Sequence, residues 1–423
     1  MPRSAALDQH PQIGQLLIVG FDGAEMSSRL ASLLTRLQPA GVILFARNIK
    51  TAQQTWQLLG DCQRCVATPL LTSIDLEGGT VDRLREVLGA APSAAEVFST
   101  ADRWLFRRHG EILGENCRAL GFNLNFAPVL DLAYEASRSV LGTRAVSSDP
   151  RQAIVYAREF LAGLRAAKVF GCGKHFPGLG EGILDSHHAL PVIEKSLPRL
   201  WGEDLLPYRE LRKQLPFAMI SHAAYPAAAS KGRGGDRASL SKTPASLSKL
   251  PASLSKMWIT DILRKRIGYR NLIVSDDLEM GGVLAAAPIG EAAVEFIRAG
   301  GDLCLVCHRE DYILQAHEAL VKTAAGDRKF ARRAEESVWR VAAFKKKSAA
   351  LLRLGKAPSE AKVETLSRQL WEFSERVRLE PLARASDRKE FDRKGNDRRV
   401  RVKDRKNKDR KEENRKVKDR RRP

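Results

Sequence analysis

The chain has no apolar run long enough to cross a bilayer. Leu16–Gly20, its first apolar stretch, falls far short of the roughly 20 residues a spanning helix requires. It also lacks a basic segment followed by an apolar one at its start: Met1–Gln12 is polar and contains proline. A secretory signal is thus not expected, and a cytoplasmic protein without a membrane span is. Aromatic residues are few, at 6%. Acidic residues are outnumbered, 50 Asp/Glu against 71 Lys/Arg, for a net charge of +21. The six cysteines include Cys62-x-x-Cys65 and Cys304-x-x-Cys307, but more than 200 residues separate the pairs, unlike the compact spacing of zinc modules. Cys304 and Cys307 lie in a strand-like run, where residues three apart point to opposite faces and cannot share a metal. No metal site and no cofactor are expected; the cysteines read as small buried hydrophobes.

With 423 residues and 43% hydrophobic content, the chain can bury a large core. The positive charge is uneven. From Asp387 to Pro423 there are 19 Lys/Arg and 9 Asp/Glu, so nearly half the excess sits in the last 37 residues. This stretch has almost no apolar residues with which to offset the entropy of ordering, so a disordered or partly helical tail is expected. Its lysines and arginines suit phosphate contacts, yet its one aromatic, Phe391, gives little for bases to stack on. No specific nucleic-acid partner is expected.

Eight short apolar runs alternate with longer helical patterns: Leu16–Gly20, Val42–Phe45, Leu70–Ile74, Asn123–Val129, Val169–His175, Phe217–Ser221, Leu272–Ser275 and Leu303–Val306. Strands alternating with helices imply parallel strands and crossover helices. Eight such units within about 310 residues predict a (β/α)8 TIM-type barrel in the α/β class, with a doubly wound open sheet as the alternative. Among the helices, Asp102–Ala119 places Leu105, Phe106, Ile112 and Leu113 on one face, with Gly121 as the cap. The barrel is expected to span residues 1–350, followed by a helical extension over 351–386 with Leu366, Leu370 and Phe373 on one face, and the basic tail over 387–423. A tandem repeat, Ala-Ser-Leu-Ser-Lys at 238–242, 245–249 and 252–256, is interrupted by Pro244 and Pro251. It reads as a duplication in a surface loop.

Barrel enzymes work at the C-terminal ends of their strands. Here those ends carry Asp75, Asp131, Lys174 with His175, His222, and Asp276 with Asp277. The fifth run opens into Lys174-His-Phe-Pro-Gly178, a glycine-rich loop, then Asp185-Ser-His187. Carboxylates gathered at a barrel mouth suit glycoside hydrolysis. Asp276 and Asp277 are neighbours in a strand, so only one is expected to face the axis.

Four segments together resemble glycoside hydrolase family 3, and specifically its bacterial β-N-acetylglucosaminidases: Ile74-Asp-Leu-Glu-Gly-Gly79, Phe122-Asn-Leu-Asn-Phe-Ala-Pro-Val-Leu-Asp131, Lys174-His-Phe-Pro-Gly178 with Asp185-Ser-His187, and Val274-Ser-Asp-Asp-Leu-Glu-Met280. The likeness runs from about Ile13 to about Ala349. Pro251-Ala-Ser-Leu-Ser255 resembles the family's lead-in to the strand before the nucleophile, which makes the first two repeats an insertion. The resemblance implies a retaining exo-glycosidase that removes terminal β-linked GlcNAc from peptidoglycan fragments in cell-wall recycling. Asp276 would be the nucleophile, and His187 the acid/base, paired with Asp185; His188 is a neighbouring competitor. Asp75, Arg83, Arg144, Lys174 and His175 would bind the sugar. Other readings are a family β-glucosidase, a GlcNAc phosphorylase, or a degenerate barrel that binds rather than catalyses. Leu179, Thr80, Thr143 and Val146-Ser147 depart from the family's usual residues but remove no implied catalytic group.

Overall fold

The computed structural model describes residues 12–182, 190–229 and 250–380. Within it, eight parallel strands close into a barrel: β1 (Leu17–Val19), β2 (Gly41–Leu44), β3 (Leu71–Ile74), β4 (Leu124–Asn125), β5 (Phe170–Phe176), β6 (Phe217–Ile220), β7 (Leu272–Asp277) and β8 (Leu303–Val306). Each strand pairs with its sequence neighbours, and β8 pairs back to β1 through Leu17–Cys304 and Val19–Val306. The open-sheet alternative is thereby excluded. Closure leaves no exposed strand edge to satisfy.

The inward residues alternate along the strands, as a pleated backbone requires. Leu71, Leu124, Cys172, Phe217, Leu272, Val274, Leu303 and Leu305 meet in the central core. Outside, helices cover the barrel with apolar faces. The helix Arg103–Ala119 buries Leu105, Phe106, Ile112 and Leu113, starts where the Asp102 side chain accepts the Trp104 amide, and ends before Gly121 at φ +97°. All of this matches the spacing.

The strands differ in length from the runs that announced them. β4 covers two residues of the expected Asn123–Val129. Pro128 has no amide to give to a ladder, and two asparagine side chains add to the backbone pairing. Asn123 accepts from the Thr72 amide and donates to the Leu70 carbonyl; Asn125 does the same with the amide and carbonyl of Leu76. Val129 returns to pair with Lys174 as a single bridge. β7 is longer than expected and runs through Asp276 and Asp277. Of the cysteines, Cys65 is half-buried and the other five are buried. The first two copies of the repeat lie outside the described residues; the third forms the turn Ala252–Leu254 that leads into the helix Met257–Arg266.

One compact unit extends to Phe373. A helix over 360–380 follows the barrel, and within that unit it buries Leu366, Leu370 and Phe373, with the Phe373 ring stacked 5.7 Å from His109. A second unit begins at Ser374, and in its described part Arg378 pairs with Glu375 at 2.6 Å. The tail over 387–423 lies outside the described residues.

A buried carboxylate fastens the outer layer. Asp302 is fully buried just before β8. It meets Arg264, Arg333 and Arg340 on two helices and accepts from the Ser337 hydroxyl at 2.9 Å and the Ile273 amide at 3.0 Å. Removing one partner of such a cluster strands buried charge. Asp302→Ala is therefore expected to destabilise the fold by about 3–5 kcal/mol in urea unfolding; a change under about 1 kcal/mol would show that the arginines find other partners.

Candidate active site

A cavity of about 190 Å³ opens at the C-terminal ends of the strands. Strand parity decides what enters it. Leu272 and Val274 face the core, so Asp276 is the next inward residue of β7. Leu71 does the same for β3, and the inward series continues beyond the strand to Asp75 and Glu77. In β5 the inward Cys172 is followed by Lys174. A short hairpin, Leu76–Gly78 with Val81–Asp82, then carries Arg83 to the rim. Its turn needs Gly78 at φ +84°, where a Cβ would fall 2.1 Å from the Pro92 carbonyl oxygen. Arg144 arrives from the turn Gly142–Arg144. Asp75, Arg83, Arg144, Lys174, His175 and Asp276, drawn from four regions of sequence, all line this one cavity. Asp185, His187 and His188 lie outside the described residues.

The cavity is held by charge pairs. Lys174 Nζ donates to Asp75 Oδ1 and contacts Glu77 Oε1, both at 2.6 Å. Arg144 grips Glu77 with two parallel bonds of 2.8 and 2.9 Å, the strong fork-to-carboxylate geometry. Asp131, also buried, accepts the His175 amide at 3.2 Å, its ring Nδ1 at 2.6 Å, and the Leu179 amide at 2.7 Å. A carboxylate only accepts, so His175 Nδ1 carries a proton. His222 sits behind the end of β7: Nε2 donates to the Asp277 carbonyl at 2.9 Å and Nδ1 meets Ser253 Oγ at 2.7 Å.

Comparison with known proteins agrees with this arrangement. Residues 9–343 match the family described as the glycosyl hydrolase family 3 N terminal domain. The chain belongs to glycosyl hydrolase family 3. A β-hexosaminidase of Bordetella avium is 36% identical over 303 residues, covering 70% of this chain and 81% of the relative. One of Alkalilimnicola ehrlichii is 34% identical over 304 residues, covering 70% and 82%. A family 3 β-N-acetylglucosaminidase structure from a Paenibacillus species superposes with a TM-score of 0.76 at 32% identity, over 86% of this chain and 68% of that one. This family 3 chain is a glycoside hydrolase, as its motifs implied.

Electrostatics separate the carboxylates of this family 3 site. Burial alone would raise Asp276, but His175, His222, the Asp277 amide and Lys174 outweigh it and hold the carboxyl below its ordinary range. It is a carboxylate at neutral pH. Glu77 is likewise opposed by burial, yet Lys174 and Arg144 keep it far below the carboxylate range. Burial pushes the His222 imidazole down, against the pull of Asp276 and Asp277. Only one of Asp276 and Asp277 was expected to face the axis; both border the cavity. The β7–β8 register shifts between Leu303 and Leu305, and at this irregular end the Asp277 carboxylate turns to His308 Nε2 at 3.3 Å.

Glu77, Asp131, Asp277, His222 and His308 were not assigned to the site from sequence. Glu77 was legible: it stands two residues after Asp75, on the same face of an extended segment. Asp131 and His222 were visible only as polar strand ends, with nothing in sequence to say what they touch.

Glu77 gives a signed prediction. A folded pKa below the unfolded one stabilises the protein above the unfolded value, about 4.3, and this stabilisation fades as pH falls toward the depressed folded value. Glu77→Gln should cost about 3 kcal/mol at pH 7, and the gap from wild type should narrow on acidification below about pH 4. A gap independent of pH in denaturant melts would argue that packing, not charge, is lost.

Proposed function

We propose that the chain is a retaining exo-β-N-acetylglucosaminidase that removes terminal non-reducing GlcNAc from peptidoglycan fragments, with a cytoplasmic place in cell-wall recycling. The observation that carries this reading is the charged Asp276 carboxylate facing a small cavity walled by Asp75, Arg83, Arg144, Lys174 and His175. A pocket of about 190 Å³ suits one sugar residue, hence removal from a chain end. Cations and a carboxylate together suit a ring bearing several hydroxyls. The names of the relatives, β-hexosaminidase and β-N-acetylglucosaminidase, support GlcNAc as that sugar.

In the first step an Asp276 oxygen attacks the anomeric carbon. The bond from that carbon to the leaving oxygen breaks, and the oxygen takes a proton from the His187 imidazolium. In the second, neutral His187 takes a proton from water, the water oxygen attacks the anomeric carbon, and the Asp276 carboxylate departs. Histidine titrates near neutral pH and can serve in both directions. Asp185, two residues earlier, would orient and tune it. Two observations support an acid from outside the described cavity wall: Lys174 is committed to Asp75 and Glu77, and His222 to Ser253 and the Asp277 carbonyl. Asp75, Arg83, Arg144, Lys174 and His175 would hold the sugar.

A release assay with chromogenic β-GlcNAc, β-glucoside and β-xyloside substrates tests the reading. The wild type should favour the β-GlcNAc substrate and release product first as the β anomer, and Asp276→Ala should lose at least about 10³-fold in kcat. No release from any of the three would sink the glycosidase reading, and an α product would sink retention. His187→Ala should slow glycosides with poor leaving groups by about 10²-fold or more while sparing activated aryl glycosides. Equal losses on the two kinds of substrate would remove His187 as the acid.

A further inference from the structure

The helix over 360–380 has no part in the mechanism above. The family match ends at residue 343, so this helix lies wholly beyond it. Up to Phe373 it belongs to the same compact unit as the barrel. Leu366, Leu370 and Phe373, spaced four and three apart, turn one face inward, and all three are buried. Phe373 meets His109 ring on ring, with centroids 5.7 Å apart and planes inclined by 21°, within the range of favourable aromatic pairs.

His109 connects this contact to the active site. It is fully buried in the helix Arg103–Ala119. Its Nδ1 meets the Tyr156 hydroxyl at 2.9 Å, and the Phe160 ring stands edge-on to it at 5.2 Å. Burial pushes the imidazole pKa down to about 3 against the pull of the Pro92 carbonyl, so the ring is a neutral wedge. Its Nε2 faces the active-site hairpin: a Cβ added to Gly78 would sit 3.4 Å from it and 2.1 Å from the Pro92 carbonyl oxygen. Burial first, and then the Glu77 carboxylate, raise the Tyr156 hydroxyl well above its ordinary value, which puts Tyr156 within reach of that charge. The hairpin resting on this layer carries Glu77 and leads into Arg83. From the side it is held where Gly79 donates to the Ala91 carbonyl, and the Ala91 amide to Asp82 Oδ2, both at 2.9 Å. Glu77 is also gripped by Lys174 and Arg144. Arg83 has no such anchor: its Nε is buried without a hydrogen-bond partner among the described residues, and its guanidinium lies 5.7 Å from the Phe45 ring centre. Its aim depends on the hairpin that carries it.

We propose that Phe373 is a positioning residue for sugar binding: through His109 it braces the hairpin and so sets where Arg83 enters the cavity. Close-packed interiors yield little and transmit strain, so a ring removed at Phe373 is felt by the layer it supports. The proposal rests on the assignment of Arg83 as a sugar-binding group above. Phe373 does not line the cavity. The groups that keep Asp276 charged, His175, His222 and Lys174, are not on the hairpin, so binding should change while the chemical step does not.

Affinity and turnover read the two apart. Phe373→Ala should raise KM for a chromogenic aryl β-GlcNAc, and the inhibition constant of free GlcNAc with it, by about three- to tenfold. The same variant should change kcat less than about twofold, the pattern of lost binding rather than lost chemistry. Phe373→Leu, which keeps apolar bulk against His109, should recover most of the loss. Trp371→Ala, on the exposed side of the same helix, should leave both constants unchanged. In a cycle with Arg83→Ala, the double variant should bind no worse than Arg83→Ala alone, because the helix has then lost the group it positions. Circular dichroism at the assay temperature checks the fold. If Phe373→Ala does not fold, Phe373→Val opens a smaller gap and is read in the same way. An unchanged KM in a folded variant, a fall in kcat as large as the rise in KM, or additive losses in the cycle would overturn the proposal. Arg83→Ala also separates the two ideas. If it leaves KM unchanged, the sugar-binding assignment of Arg83 has failed; if it raises KM and Phe373→Ala does not, only the positioning role has.

Discussion

The site depends on the pairing of Lys174 with Asp75 and Glu77. An ammonium with almost no exposure, joined to two carboxylates at 2.6 Å, links the end of β5 to the end of β3 across the barrel mouth. Burying these charges singly would be prohibitive; burying them together makes each a condition for the others. Glu77 extends the chain of dependence to Arg144, whose turn would otherwise have little reason to approach the cavity. This wall of the cavity is thus one interlocked unit, not a set of independent side chains.

A second chain of dependence runs parallel to the first. Asp131 holds the His175 ring, its amide, and the first residues of the glycine-rich turn. His175, His222 and Lys174 together keep Asp276 charged against the pull of burial. Two of these groups, Lys174 and His175, also wall the same cavity. At the opposite side of the strands, Asp302 follows the same rule with three arginines, there fastening helices to the sheet. In both places a carboxylate left inside the protein is accompanied by enough cations and donors to keep it there.

The barrel was legible because its signal is local and repeated: short apolar runs between amphipathic helices, with titratable groups where each run stops. Asp75, Lys174, His175 and Asp276 were legible for the same reason, since strand ends in this architecture converge on one face. Arg83 and Arg144 came from the family resemblance, and the cavity geometry now gives each a place. Strand lengths were less legible. Asn123 and Asn125 pair side chains with the backbone of a neighbouring strand, and apolar periodicity has no term for that substitution. The partner of the Asp277 carboxylate, His308, was not legible either, because it lies beyond the next strand.

Sequence alone determined the fold class and the family, because each is encoded in short-range spacing: period-two strands, helical faces, and contiguous motifs. The tertiary structure decided which charges meet. Glu77 with Arg144, and Asp131 with His175, are joined by distances that only closure of the barrel sets. The strength of each pairing, and therefore the ionisation state of each group, follows from burial that no single segment possesses.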